Sequence, residues 1–242
     1  MHSQKSSNPS IKRAVSVARL RSVFPFFKEI APEALEPVAS RIVEKSYPKG
    51  SLIFLEGSFG EEIYFILSGS VSVFTLNKTK KVVLSTLGEG DYFGEMALIN
   101  PEAGRSTAAE ALTAVRVYTL KKQDFLTLFG QDRNLLQHLL VCTMDRLSKA
   151  NRQIYDLTFL SVRARIMKRL LALGRQASLP DGRAPVPVRI THQQLADMVG
   201  AVRETVSKIV HELQEEGLIA LRHRMIYLND PALLEARLEE EL

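Results

Sequence analysis

From about Tyr47 to Lys121, the apolar positions of this 242-residue chain come in short bursts. SLIFLEGS (51–58), EEIYFILSGSVSVFTL (61–76), KVVLSTLGEGDYF (81–93) and AVRVYTL (114–120) are strand-length runs rich in Val, Ile, Phe and Tyr. Such residues fit a pleated, half-buried surface. Gly57, Gly69, Gly88 and Gly90 punctuate the runs, and closely spaced strands with glycine turns predict a sandwich or barrel. Residues 20–45 ahead of them read as helical.

From about Gln123 the period lengthens. Leu136, Leu140, Thr143, Leu147, Ala150, Ile154 and Leu157 alternate spacings of four and three, an a/d stripe over about three heptads. Such a stripe packs either on the core of its own domain or on a second copy of the chain. The stripe is narrow, and Arg133, Asp145, Arg146, Lys149 and Arg152 crowd its flanks, which favours a two-stranded seam and hence a homodimer. Thr158–Val162 is the candidate hinge to the C-terminal part of the chain. The chain is helical again from Val162, and irregular with short strands through GRQASLPDGRAPVPVRI (174–190). Two further helices and a small hairpin, LIALRHRMIYL (218–228), complete it.

Charge changes this picture less than its total suggests. The net charge is +5, but residues 1–28 carry six Lys/Arg and no acid. The excess is a basic N-terminal tail, read as solvated, and the global charge is no evidence for nucleic acid. The single cysteine, Cys142, excludes a disulfide framework, a four-cysteine zinc site and a cysteine-held iron–sulfur cluster. No apolar run approaches the roughly 20 residues that span a bilayer. The N-terminus lacks the apolar core of a signal peptide, so no membrane contact and a cytoplasmic location are expected. Asn77-Lys78-Thr79 is a glycosylation sequon that a non-secreted chain never uses.

The stretch FGEMALINPEAGRSTA (93–108) carries the first candidate chemistry. A short helix starting after Gly94 points free N–H groups outward, as anion sites do, and Gly94 permits close backbone approach. Arg105 offers a planar fork suited to two phosphate oxygens. Glu95 repels a phosphate but can accept from a sugar hydroxyl beside it. An acid and an arginine at opposite ends of one loop therefore imply a ligand with a phosphate and a neighbouring ribose hydroxyl. Ser106 and Thr107 can add hydroxyl contacts.

The second candidate is THQQLADMVGAVRETVSKIVHELQEEGLI (191–219). Thr191 is a credible N-cap for a helix His192–Val199, and Gly200 a left-handed C-cap. A second helix, from about Val202 to Glu215, turns Val206, Ile209 and Leu213 inward. It leaves Arg203, Glu204, Ser207 and Lys208 outside. A helix-turn-helix reads base edges with this part of its second helix; Arg can bind guanine bidentately and Glu can accept from cytosine.

Taken together, SFGEEIYFILSGSVSVF, LGEGDYFGEMAL and RSTA resemble the cyclic-nucleotide-binding domain of the cyclic-AMP receptor protein (catabolite activator) / fumarate-nitrate regulator superfamily, over about residues 20–235. VGAVRETVSKIV resembles its recognition helix, and LIALRHRMIYL its wing. The resemblance implies an α+β chain. A basic tail (1–19) would precede a cyclic-nucleotide-binding β-roll (20–122), a long dimerisation helix (123–158) and a C-terminal winged helix-turn-helix (159–242). It implies phosphate contact by Arg105 and Ser106 and ribose contact by Gly94 and Glu95, with Met96 and Ala97 completing the cassette and Ser85 a further pocket serine. Arg146, Ala150 and Asn151 fall where the family's adenine-facing residues lie. Ala150-Asn151 departs from the Thr-Ser pair of the best-known member, which loses a hydroxyl but keeps a donor and acceptor on Asn151. On the DNA side it implies contacts from Thr191, His192, Arg203, Glu204, Ser207 and Lys208, with lysine replacing the family's frequent arginine at 208.

The expected protein is therefore a homodimeric, cyclic-nucleotide-responsive transcription regulator of double-stranded promoter DNA with a palindromic operator. Cyclic AMP is the preferred allosteric ligand and cyclic GMP the alternative. RNA polymerase is a partner by resemblance alone. A regulator answering cyclic di-GMP, or no ligand, fits less well with the retention of Glu95 and Arg105. No histidine in the β-roll favours haem. Paired catalytic carboxylates, a nucleophile–base set and a Walker loop are all missing from the sequence, so no enzyme, metal or cofactor is expected.

Overall fold

The structure is a computed structural model that describes residues 15–28, 30–77, 80–99, 104–131, 133–177, 186–223 and 225–241. Most of the basic tail, residues 100–103 of the cassette loop and 178–185 of the Pro/Gly-rich segment lie outside the described residues. The chain forms two compact units. One holds the residues up to Thr75 and Leu84–Leu147; the other holds Leu76–Val83 and Ser148–Leu242.

The first unit opens with three short helices, α1 (Val17–Val23), α2 (Pro25–Lys28) and α3 (Pro32–Ala39). The strands are β1 (Val43–Tyr47), β2 (Leu52–Phe54), β3 (Glu62–Ser68), β4 (Val71–Asn77), β5 (Lys80–Leu87), β6 (Tyr92–Phe93), β7 (Ala108–Ala111) and β8 (Val115–Lys121), the end of β4 and the start of β5 falling in the second unit. A single-turn helix, α4 (Met96–Ile99), sits between β6 and β7. The strands build two four-stranded sheets, ordered β1-β8-β3-β6 and β2-β7-β4-β5. The alternation of a strand's side chains sorts β3 cleanly. Tyr64 and Ile66 point into one apolar cluster with Val71, Phe93, Ala109, Val115 and Val117. Ile63, Phe65 and Leu67 point into another, built from Leu20, Phe24, Phe27, Leu35 and other residues of the helices. β3 is thus buried on both faces, which explains its near-continuous apolar run.

Two strands differ from the sequence expectation. Residues 43–45, expected as helix, belong to β1, whose VEKSY sequence is too polar to signal a strand. It lies at the edge of its sheet, paired only to β8 (Val43 opposite Thr119, Tyr47 opposite Val115), where charged side chains are tolerated and discourage further pairing. β7, AAEA, was invisible because alanine has no strand preference. Its Ala108, Ala109 and Ala111 are buried between β2 and β4.

The helical region expected from 123 to 158 is described as α5 (Lys122–Gln131) and α6 (Arg133–Phe159), on either side of residue 132, which lies outside the described residues. Phe125 and Leu128 of α5 are fully buried in the core, and Leu135 and Leu139 of α6 are buried there too. The stripe lies elsewhere on α6: Leu136, Leu140, Leu147, Ile154 and Leu157 are 42–61% exposed. The face α6 turns to its own core and the heptad stripe are therefore different faces. No helix among the described residues is long and apolar enough to cross a membrane.

The second unit contains α7 (Val162–Ala177), β9 (Val186–Val188), α8 (His192–Val199), α9 (Arg203–Glu215), β10 (Ile219–Arg222), β11 (Met225–Leu228) and α10 (Pro231–Glu239). The sheet order is β10-β11-β9, so the expected hairpin gains a third strand. Its core joins Ile166, Met167 and Leu170 of α7 to Leu195, Val206, Val210, Leu213 and Ile226. Arg163, at the start of α7, reaches Glu216 (2.7 Å) and Glu241 (2.7 Å) and fixes the C-terminal end of α9 and the residues after α10 against it. Because Phe65 is fully buried among aromatic neighbours, Phe65→Ala is expected to destabilise the first unit by about 3–5 kcal/mol. The check is a shift in the urea midpoint of that unit's transition.

Candidate functional site

In the first unit, the cassette is organised around the Arg105 guanidinium, which is 4% exposed. Nη1 donates to the carbonyl of Gly94 (2.6 Å) and Nη2 to the carbonyl of Glu62 (2.8 Å). The cation lies over the ring of Phe54 at 4.3 Å, with Tyr64 at 5.5 Å. Nε, also buried, has no hydrogen-bond partner. The main chain holds the residue too, since Arg105 N–H donates to Ser58 O and its carbonyl accepts from Gly57 N–H. Burial lowers the pKa of Arg105, opposed by Tyr64, Glu62 and Glu95. An arginine starts so high that it stays a cation.

Gly94 makes this geometry possible. Its φ is +86°, and an added Cβ would sit 2.5 Å from Arg105 Nη1. Glu95 follows, 6% exposed. Its carbonyl accepts from Leu98 and Ile99 and so starts α4. One carboxylate oxygen, Oε1, takes a hydrogen bond from Arg146 Nη1 at 2.5 Å, while Oε2 has no partner. Arg146, expected to face adenine, here also donates to Tyr92 O (2.5 Å) and lies over the Tyr92 ring (4.8 Å). Burial, with a bond to Cys142, pushes the Tyr92 phenol far above its usual range.

The other expected ligand residues differ in exposure. Ala97 is buried, Met96 is 58% exposed and the Ser106 hydroxyl donates to its sulfur (3.4 Å). Thr107, and Ser85 on β5, are half-buried. Asn151 is exposed on α6, in the second unit. A cavity of about 350 Å³ lies beside Arg105, walled by Phe54, Phe59, Tyr64, Glu62 and Lys121. Glu62 is held by Lys45 (2.6 Å); burial, with this carboxylate nearby, pushes the Tyr47 phenol up to about 12. The sequence did not flag Phe54, Glu62 or Tyr92. Two of the three act through carbonyls, which leave no trace in side-chain motifs. The cassette thus brings together a buried cation with an unused donor and a carboxylate with an unused acceptor. These are what a phosphate and an adjacent hydroxyl require.

In the second unit, α8 begins at a complete capping box. Thr191 Oγ1 accepts from Gln194 N–H and Gln194 Oε1 accepts from Thr191 N–H, satisfying two otherwise orphaned donors. Gly200, with φ +66°, ends the helix and turns the chain into α9. Val206, Ile209, Val210 and Leu213 of α9 are buried, Arg203, Glu204 and Lys208 are exposed and Ser207 is half-buried. Lys208 is 3.9 Å from Glu212 on the next turn. His192 Nδ1 is 2.9 Å from Ser207 Oγ, a link between the two helices that the sequence did not reveal. The hairpin turn at His223 takes φ +49°, a conformation in which His is enriched among non-glycine residues.

A cradle for a phosphate and its neighbouring hydroxyl, followed in the chain by a winged helix-turn-helix, defines a DNA-binding regulator with a nucleotide-binding module. Residues 44–132 match the cyclic nucleotide-binding domain family and residues 164–237 the Crp-like helix-turn-helix domain. The cyclic AMP receptor protein of Thermus thermophilus is 34% identical over 212 residues, covering 87% of this chain and 95% of that protein. The cAMP-activated global transcriptional regulator CRP of Escherichia coli O6:H1 is 32% identical over 184 residues, 74% of this chain and 86% of its own. Among solved structures, a transcriptional regulator of the CRP/FNR family from Thermus thermophilus has a TM-score of 0.69 at 30% identity, covering 82% of this chain and all of that one. The c-di-GMP responsive global regulator CLP of Xanthomonas campestris has a TM-score of 0.73 at 24% identity, covering 83% of this chain and all of its own, a likeness of fold. This chain belongs to the CRP/FNR family of DNA-binding transcription regulators, which are not enzymes.

Gly94→Ala tests the cradle. The new Cβ would meet Arg105 Nη1 at 2.5 Å and occupy a left-handed backbone position that costs an L-residue about 1–2 kcal/mol. Cyclic-nucleotide affinity is expected to fall by about tenfold or more, read by isothermal titration, with the far-ultraviolet circular dichroism retained.

Proposed function

We propose that the protein is a homodimeric transcription regulator whose DNA binding is switched by a cyclic nucleotide, with cyclic AMP as the preferred ligand. One observation carries the ligand reading: Arg105 Nε and Glu95 Oε2 are buried, polar and unpartnered in the same cassette. Buried polar groups ordinarily find partners, and a cyclic nucleotide supplies both. Its phosphate answers the guanidinium, and its ribose hydroxyl donates to the free oxygen of Glu95. Gly94, Ser85, Ser106, Thr107, Met96 and Ala97 complete the pocket, and Arg146 fixes the carboxylate that receives the ribose. Preference for cyclic AMP rests on the names of the relatives at 34% and 32% identity and on Asn151, which offers a donor and an acceptor to the adenine edge.

The exposed heptad stripe of α6 supports a two-stranded seam with a second copy, because the helix already commits a different face to its own core. Nucleotide bound in each β-roll would bias the two-stranded seam, and through the Thr158–Val162 junction the spacing of the two α9 helices. Two-fold symmetry then implies a palindromic operator with half-sites about one helical turn apart. RNA polymerase is the expected partner of the DNA-bound dimer.

Two measurements test this reading. Isothermal titration is expected to give tighter binding of cyclic AMP than of cyclic GMP or cyclic di-GMP, and Arg105→Ala is expected to lose about 2–5 kcal/mol of that binding. An Arg105→Ala variant that titrates like wild type would overturn the cassette reading. For DNA, Arg203→Ala is expected to remove one guanine contact, about 1–3 kcal/mol per half-site, and to relax preference at that base. The assay is binding to operators substituted one base at a time, at fixed salt and saturating nucleotide. Uniform weakening with unchanged base preference would make Arg203 a phosphate clamp instead.

A further inference from the structure

His192 is the first residue of α8 and Ser207 lies on the outer half of α9, and their side chains meet at 2.9 Å between Nδ1 and Oγ. We propose that His192 sets the hydrogen-bonding polarity of Ser207 on the DNA-reading face, and so makes operator recognition depend on proton concentration. The proposal rests on the reading of α9 as the recognition helix and adds a specificity-determining residue outside it.

A hydroxyl carries one proton and two lone pairs, and an imidazole nitrogen either donates or accepts. In the neutral form with the proton on Nε2, Nδ1 accepts the Ser207 proton. The hydroxyl then turns only lone pairs outward. When the ring is protonated, Nδ1–H donates to Oγ and the Ser207 proton is released. It can then be given to an acceptor on the DNA, which phosphates and the major-groove edge of guanine supply. The neutral form with the proton on Nδ1 also frees the hydroxyl but brings no charge. The protonated form alone gives a polyanion both an extra donor and an extra cation.

The cavity beside His192, about 250 Å³, is walled by Ile190, Thr191, Leu221, Met225 and Ile226, none of them ionisable. Among the described residues no carboxylate pairs with His192. On α8, Asp197 accepts from Gln193. On α9 the charged groups are Arg203, Glu204, Lys208 with Glu212, and His211 with Glu215 at 3.4 Å. On α7, Arg169 donates to Met198 sulfur, and the hairpin contributes Arg222 and His223. Bound DNA outweighs these as a source of negative charge, so the complex holds more protons than the free protein. Operator affinity must then be highest at low pH and fall as pH rises through the range in which imidazoles ordinarily lose their charge, about 5–8.

Operator binding is measured by fluorescence anisotropy from about pH 5.5 to 8.5, spanning that range, at constant ionic strength and saturating cyclic AMP, on the full chain. Wild type is expected to show log affinity falling with pH, with a slope approaching about one proton per protomer in that range. His192→Gln keeps a side chain able to bond Ser207 but cannot titrate, and His192→Arg is permanently charged. Both are expected to lose most of the slope, the arginine variant retaining the tighter binding. Ser207→Ala is expected to keep part of the slope and lose the pH dependence of single-base preference. The difference between wild type and His192→Gln removes the contribution of His211 and His223, and equal thermal melting of the two controls for folding. Superimposable wild-type and His192→Gln profiles would overturn the proposal. Failure of wild type to bind any palindromic operator at every pH would instead overturn the DNA-reading assignment on which it rests.

Discussion

Everything in the cradle depends on where the Arg105 guanidinium finds its acceptors. A cation this deeply buried needs hydrogen bonds aimed at it, and the first unit supplies them from the backbone of two different strand ends. The carbonyl of Gly94 comes from the end of β6 and that of Glu62 from the start of β3, neighbouring strands of one sheet. The aromatic floor, Phe54, comes from β2 in the other sheet. The two-sheet roll is thus the frame that makes a buried arginine tolerable in a domain of this size. Glu95 is held in a similar way, with one oxygen bonded to Arg146 and the other buried without a hydrogen-bond partner.

The long helix α6 illustrates a division of labour along one element. Leu135 and Leu139 seat it on the core of the first unit, and Arg146 anchors it to the cassette through Glu95 and the Tyr92 carbonyl. Glu95 and this helix are thus joined directly by an ion pair at 2.5 Å. Leu136, Leu140 and Leu147 stay exposed.

Much of this was readable in the sequence because it is written in local signals. Gly94, Arg105, the Thr191 cap and the Gly200 turn are single residues whose backbone or charge requirements show at once. The start of α10 was equally signposted, by Asp230 ahead of Pro231, whose carboxylate accepts from Ala232 and Leu233 N–H, although the short segment was not singled out. β7 was hidden because alanines fill it, and alanine carries little strand preference. β1 was hidden because an edge strand has no need of apolar alternation. The acceptors of Arg105 and the second role of Arg146 were out of reach for a different reason: they depend on main-chain atoms brought together by tertiary pairing, and no side-chain pattern records them.

The reliance of Arg105 on carbonyls has an evolutionary corollary. A carbonyl is present whatever residue bears it, so the side chain at position 62 can change without unseating the arginine. The seat of the Arg105 side chain is thus set by main-chain geometry and not by the identity of residue 62. What a sequence must keep is the backbone path that brings the two carbonyls to one guanidinium.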